Sequence, residues 1–388
     1  MTDSNAETGA VEGDAETTAA PDQGETNAVP DQGETNAVDG DADRERDHGA
    51  RSTPGSDAEH ERIRGGDDPL LSVRDLHTRF DTDEGVVRAA DGVSFEIREG
   101  EILGLVGESG SGKSVTSRSL LDLVPSPGYV ADGEVRFKGE DVLGKSESEL
   151  RSVRGSEISL VFQEPMSALN PVFDVGWQVG EPLRVHRDLS KDASRSRAAE
   201  LMREVGIPSA EDRVDDYPHQ FSGGMRQRAM IAMALACEPD LLVADEPTTD
   251  LDVTIEAQIL DLIDDLNDEL GMAVLLVTHD LAVVAEVCDR VAVMYAGRIV
   301  EYGDVEDVFQ DPRHPYTKGL LDCVPDPRAD DAELSPIEGD VPELHDLPEG
   351  CTFAARCPYA VEDCEQTDPR LRAVDDDHYS ACIWEDPQ

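Results

Sequence analysis

The chain is 388 residues long and 38% hydrophobic, and its 86 acids against 33 Lys and Arg give a formal net charge of −53. That length suits two domains or one large domain with additions, and so acidic a surface excludes a basic nucleic-acid groove. No apolar run approaches the ~18–20 residues that span a bilayer, and the N-terminus lacks the basic start and apolar segment of a secretory signal. The chain is therefore expected inside the cell, with any membrane link supplied by a partner.

Self-repulsion of this size opposes compaction, and it becomes tolerable in molar salt, where the Debye length shrinks to about 3 Å. Residues 1–68 carry 19 acids and 5 bases, which leaves −39 of the charge on the remaining 320 residues. With only five lysines, the composition resembles that of halophilic proteins and points to a halophilic archaeon as the source.

Residues 1–67 are rich in Asp, Glu, Gly, Ala, Asn and Thr and contain a nine-residue tandem repeat, PDQGETNAV at 21–29 and again at 30–38. Too few large apolar groups are present to offset the ordering entropy, so a disordered acidic tail is expected. From Leu70 the pattern changes. LLSVRDLHTRF and VRAADGVSFEI alternate like strands, and EILGLVG (101–107) is a short buried strand. Strand and helix patterns then alternate to about Asp304, the signature of an α/β fold. A polar, arginine-rich and mainly helical stretch over about 167–236 interrupts them. After Asp304 the text turns Pro-rich and ends in a cysteine segment, read as a smaller extension over 305–388.

The strand at 101–107 runs straight into GESGSGKS, Gly107–Glu108–Ser109–Gly110–Ser111–Gly112–Lys113–Ser114. This is G-x-x-x-x-G-K-[ST] between a strand and a helix, the phosphate-loop pattern. Glycines let backbone N–H groups converge on phosphate oxygens, and a helix N-terminus adds its positive dipole end. Lys113 suits the β- and γ-phosphates, and the Ser114 hydroxyl suits Mg²⁺. Further on, LLVADEP (241–247) is a buried strand ending in two acids: Asp245 to hold Mg²⁺ and Glu246 to polarise an attacking water. Between them, FSGGMRQR (221–228) places Ser222, Gly223 and Gly224 at a helix start, a second anion-binding geometry. One chain needs only one phosphate cradle, so the spare one suggests that two copies grip each nucleotide.

In order, GESGSGKS, Gln163 in VFQEP, FSGGMRQR, LLVADEP, TTDLD and His279 in VTHD resemble an ATP-binding-cassette (ABC) ATPase, over about 68–304. The resemblance implies an ABC-type P-loop α/β fold with a helical signature subdomain, and a dimer that sandwiches two ATP molecules. It implies that Gln163 senses the γ-phosphate and Mg²⁺ and signals to the membrane subunit. His279 would orient the γ-phosphate and the catalytic Glu246, Asp252 would lie at the dimer interface, and Phe80 would stack on adenine. PMSALNP (165–171) and HPYTKGLL (314–321) narrow the likeness to the ATP-binding subunits of dipeptide and oligopeptide permeases. The implied partners are a second ATPase subunit, two transmembrane permease subunits and an extracellular peptide-binding protein, with this chain on the cytoplasmic face of the membrane. Related importers of nickel, oligosaccharide or glutathione, and soluble ABC ATPases, are the alternatives. Phe221 replaces the usual signature leucine, and Asp250 stands where alanine is usual. Neither change removes a catalytic group.

The last four cysteines read Cys351-x5-Cys357-x6-Cys364-x17-Cys382. Inside a cell disulfides are disfavoured, and four thiolates suit zinc or an iron–sulfur cluster. The tight pairs usual around zinc are absent, and the wider loops suit a cubane better. The resemblance also implies a [4Fe–4S] cluster here; zinc and plain packing remain the alternatives.

Overall fold

The computed structural model describes residues 69–162, 168–249, 251–323 and 337–384. The acidic tail at 1–67, Gln163 and Asp250 lie outside them. Among the described residues, the strand-like alternation after Leu70 forms an antiparallel hairpin, β1 (Leu71–Thr82) with β2 (Gly85–Ile97), in which Phe80 faces Val87. β4 (Gly128–Phe137) pairs with the other side of β1 and places Gly128 opposite Phe80. With the two-residue β5 (Glu140–Asp141) these make a four-stranded sheet in the order β2-β1-β4-β5.

The second sheet has eight strands. β3 (Ile102–Val106) lies at its centre, parallel to β8 (Ala273–Thr278) on one side and to β9 (Arg290–Tyr295) on the other. β7 (Leu241–Asp245) and β6 (Ile158–Val161) continue beyond β8, also parallel. Strands covered on both faces need no polar alternation. Accordingly β3, β7 and β8 are buried along their whole length. One face of the eight-stranded sheet packs with the four-stranded sheet around Val73, Phe95, Leu105 and Leu275. The opposite face is covered by helices, with Ile102, Leu242 and Val274 in the same apolar cluster as Met202, Ile231 and Ile263.

From Val175 to Leu235 the regular elements are helical. The longest, Lys191–Glu204 and Gly223–Leu235, start at Ser190 and Ser222, whose hydroxyls accept from the backbone N–H three residues on.

The segment after Asp304 folds back onto the eight-stranded sheet. β10 (Arg298–Asp304) is antiparallel to β9, and β12 (His378–Ser380) pairs with β10, matching Tyr302 with Tyr379. β11 (Arg372–Asp375) completes that side. Glu301 of β10 is fully buried and accepts from the backbone N–H groups of Arg313 (2.6 Å) and His314 (2.9 Å). Its carboxylate also meets His378 Nε2 at 2.8 Å, so one buried acid of β10 holds the turn at Arg313–His314 and β12 to its own strand.

Candidate active site

In the order β3-β8-β7, three neighbouring parallel strands deliver three motifs at their carboxyl ends. Val106 leads into the phosphate loop, Asp245 and Glu246 end β7, and His279 follows Thr278 of β8. In open α/β sheets this carboxyl edge is where ligands bind. Register fixes the relation: Val106 pairs with Thr278, Asp245 pairs with Val277, and the Glu246 N–H donates to the Val277 carbonyl at 2.9 Å.

The glycines of the loop are required by close approach. A Cβ on Gly107 would lie 2.1 Å from the Met294 carbonyl oxygen, and one on Gly112, at φ +104°, 2.1 Å from that of Ala89. Gly110 has φ +78° and nothing within 4 Å of its Cβ direction, which leaves its surface open. Behind the loop Lys113 is only 4% exposed, and its Nζ donates to the carbonyls of Gly107 (2.7 Å) and Glu108 (3.0 Å). Burial draws the Lys113 ammonium below its ordinary pKa, while the charges of Glu246, Asp245 and Glu108 oppose that shift.

Ser114 Oγ donates to Asp245 Oδ1 at 2.8 Å. Asp245 Oδ2 is buried without a hydrogen-bond partner, as is Ser111 Oγ. Burial raises the Asp245 carboxyl, against the Ser114 hydrogen bond and the Arg118 and Lys113 charges. A buried acid with one oxygen unsatisfied, beside a hydroxyl, suits a hard cation. Glu246 holds a left-handed backbone, φ 47°. Its carboxylate accepts from Thr249 Oγ1 at 3.0 Å and lies 3.7 Å from His279 Nδ1.

Two cavities border this loop. One, about 380 Å³, is lined by Gly107, Glu108, Ser109, Glu246 and His279. The other, about 390 Å³, joins Phe80, Ser109, Gly110, Gly112, Lys113, Ser114 and Glu246. The Phe80 ring reaches it because the residue across the ladder is glycine: a Cβ on Gly128 would lie 2.4 Å from Phe80 Cε1. Ser222, Gly223 and Gly224 line neither cavity, and Asp252, exposed, caps the helix Val253–Leu270 by accepting from Ile255 N–H at 3.1 Å.

Sequence reasoning missed the residues that the C-terminal segment brings here. Leu320 lines the first cavity and Leu344 the second, where the Leu344 carbonyl accepts from Arg88 N–H at 3.0 Å. Tyr316 and Arg356 both bind Glu108. HPYTKGLL was legible as a motif, yet nothing local in Arg356 or Leu344 signals a loop more than two hundred residues away.

Cys351, Cys357, Cys364 and Cys382 line a single small cavity with His314, and all four thiols are free. Burial pushes Cys351 up to about 11, with the other three thiols adding to the rise, and raises Cys357 and Cys382 as well. His314 is wholly buried, and desolvation pulls it down to about 3, so its ring is neutral. Among the described residues, no group of three or more His, Cys, Asp or Glu side chains converges as the ligand set of a metal ion. No described helix is long and apolar enough to cross a membrane.

Comparison with known proteins agrees with this arrangement. Residues 90–249 match the ABC transporter family model, and residues 300–364 match that of the oligopeptide/dipeptide transporter C-terminal region. The chain is 51% identical over 318 residues to the dipeptide transport ATP-binding protein DppD of Bacillus subtilis, covering 82% of this chain and 95% of that one. It is 52% identical over 312 residues to the oligopeptide transport ATP-binding protein OppD of the same species, covering 80% and 87%. DppD of Escherichia coli is 47% identical over 315 residues, covering 81% and 96%. Among solved structures, the dimeric post-hydrolysis state of the ATP-binding cassette MJ0796 bound to ADP and Pi superposes with a TM-score of 0.55 at 29% identity. That match covers 61% of this chain and 99% of the other. A phosphate loop, an Asp-Glu strand end and a histidine on adjacent strands, with both family models matched in sequence order, lead to one conclusion: the chain belongs to the ATP-binding subunits of the dipeptide/oligopeptide branch of the ABC transporters.

Proposed function

We propose that the chain hydrolyses ATP to energise the import of di- and oligopeptides through a membrane permease. The observation that carries this reading is the convergence of Lys113, Glu246 and His279 on two cavities that share the phosphate loop. The substrate class is supported by the relatives, which are named for dipeptide and oligopeptide transport.

In this reading the loop amides and Lys113 hold the β- and γ-phosphates, and Phe80 stacks on the base. Glu246 would polarise the attacking water, and His279, 3.7 Å from its carboxylate, would orient Glu246 and the γ-phosphate. Phosphoryl transfer then depends on positioning and on charge stabilisation rather than on covalent chemistry. Ser114 and Asp245 would hold Mg²⁺, which supplies neutralisation of the phosphate charge; Gln163 is assigned to the same ion from the motif alone. Ser222, Gly223 and Gly224 lie apart from their own chain's cavities, as expected if they close on the nucleotide of a second ATPase subunit, with Asp252 at the interface. Two permease subunits and an extracellular peptide-binding protein complete the assembly, with this chain on the cytoplasmic face.

We assign 68–304 to the ATPase domain, with its helical subdomain at about 167–236, 305–388 to the C-terminal extension, and 1–67 to an acidic tail. The four cysteines of the extension are assigned to a [4Fe–4S] cluster. Support comes from the family resemblance and from four free thiols around one cavity. Such a cluster would supply a polynuclear cross-link between loops distant in sequence. Anaerobic purification should give a brown protein with iron and sulfide in equal amounts, and Cys364→Ser should remove both; stoichiometric zinc without iron would reject the cluster. For the main function, purified chain with its permease in vesicles should couple ATP turnover to uptake of a labelled dipeptide. ATP turnover indifferent to every peptide tested, but stimulated by nickel or a sugar, would move the substrate elsewhere.

A further inference from the structure

We propose that Arg356 is a positioning residue of the nucleotide site: from the cysteine segment it holds Glu108, and through Glu108 the phosphate loop. The Arg356 side chain is 5% exposed and meets the Glu108 carboxylate with two nitrogens, Nη1 to Oε2 at 2.7 Å and Nη2 to Oε1 at 3.0 Å. Its remaining hydrogens are also placed. Nε donates to the Glu338 carbonyl (3.1 Å), Nη2 to that of Ile337 (3.3 Å) and Nη1 to the Tyr295 hydroxyl (3.5 Å). All five N–H donors therefore have acceptors, and a paired fork of this kind has one orientation.

Glu108 is a junction. Its side chain is held by Arg356, its N–H donates to the Tyr316 hydroxyl at 2.9 Å, and its carbonyl accepts from Lys113 Nζ at 3.0 Å. The lysine expected to reach the phosphates thus shares one residue with two grips from the extension. Both grips start at the wall of the four-cysteine cavity, because Cys357 and His314 line it and stand next to Arg356 and two residues before Tyr316. The inference rests on ATP being the ligand of the loop. It requires no particular occupant of the cysteine cavity.

The test uses the full-length chain, with equilibrium binding of a fluorescent ATP analogue and steady-state hydrolysis. The parent chain's own binding comes first: if it fails to bind nucleotide, the ATPase reading falls, and the strut is a separate question. Given binding, Glu108→Gln and Arg356→Ala should each raise the ATP Kd and KM about tenfold, with kcat changed less than about twofold. The double variant should be no weaker than either single one, and Arg356→Lys should recover part of the loss, because it restores the charge without the fork. If Arg356→Ala does not fold, the partly exposed Glu108→Gln decides alone. A Glu108→Gln chain that binds ATP within about twofold of the parent, or losses that simply add in the double variant, would overturn the proposal.

Discussion

Ser114 Oγ and Asp245 Oδ1 lie 2.8 Å apart although they are 131 positions apart in sequence, which ties the start of the helix Lys113–Ser119 to the end of β7. The other oxygen of Asp245 is buried and unpartnered, so the pair forms a half-satisfied oxygen site. Asp245→Asn keeps the shape and one acceptor but loses the charge. Hydrolysis should fall by about 10²-fold or more, with a steep rise in the Mg²⁺ concentration required. Nucleotide binding measured in EDTA should change little. A variant with normal Mg²⁺ dependence would remove Asp245 from the metal's surroundings.

Glu246 is the candidate base, held by Thr249 and near His279. Glu246→Gln should lower kcat by about 10²–10⁴-fold, the range for a positioned general base. ATP binding should survive, and size-exclusion chromatography should show an ATP-dependent dimer that the parent chain dissolves by turnover. Rapid turnover in this variant would sink the assignment.

A polar cluster away from the nucleotide makes a pH prediction. His77 Nδ1 meets Asp91 Oδ1 at 3.1 Å, and Arg298 Nη2 meets Asp91 Oδ2 at 2.6 Å. Asp91 is held well below its usual 3.8, first by the His77 hydrogen bond and then by Arg298. His77 is raised above 6.5, chiefly by the same hydrogen bond. The depressed acid adds stability above 3.8 that is lost as pH falls through its folded value. The raised histidine adds stability below 6.5 that is lost as pH climbs through its folded value. The pair is thus worth most between these limits. His77→Ala should cost about 1–2 kcal/mol near pH 5.5 and less at pH 8.5, by thermal melts at fixed salt. A cost independent of pH would show packing rather than charge.

The net charge of −53 carries its own test. Far-UV circular dichroism in potassium chloride should show helical signal and melting temperature falling together below about 1 M salt, as screening weakens. A fold unchanged at low salt would mean that this acidity serves something other than salt tolerance.

How far the sequence could be read follows from the range of the interactions. The phosphate loop was legible because Gly107, Gly112 and Lys113 lie within seven residues, although the close contacts that require the two glycines, with Met294 and Ala89, appear only in the fold. β3 and β7 were legible as short apolar runs, although their places in the sheet, on either side of β8, were not, since parallel pairing leaves no mark in the sequence between strands. Phe80 was placed by family likeness, and the physical reason it fits, Gly128 across the ladder, appears only with the register. The change in composition after Asp304 suggested a separate smaller unit, but not that its last strands, β11 and β12, would join the main sheet. That Leu344 and Arg356 reach the nucleotide loop depends on tertiary contact between distant segments, which no period or spacing encodes. Gln163 lies outside the described residues, so its assignment rests on the motif.

The antiparallel pairing of β12 with β10 also bears on how this protein can fail. β12 arrives near the end of the chain, at His378–Ser380, and covers backbone that β10 would otherwise leave bare. A chain cut short by translation arrest or proteolysis just before β11 would keep every nucleotide-binding residue and expose the open flank of an eight-stranded sheet reduced to six. Such a flank is a template for strand addition from a second molecule. Loss of residues 372–388, and with them β11 and β12, should therefore turn this ATPase into an aggregating species before it becomes an inactive one.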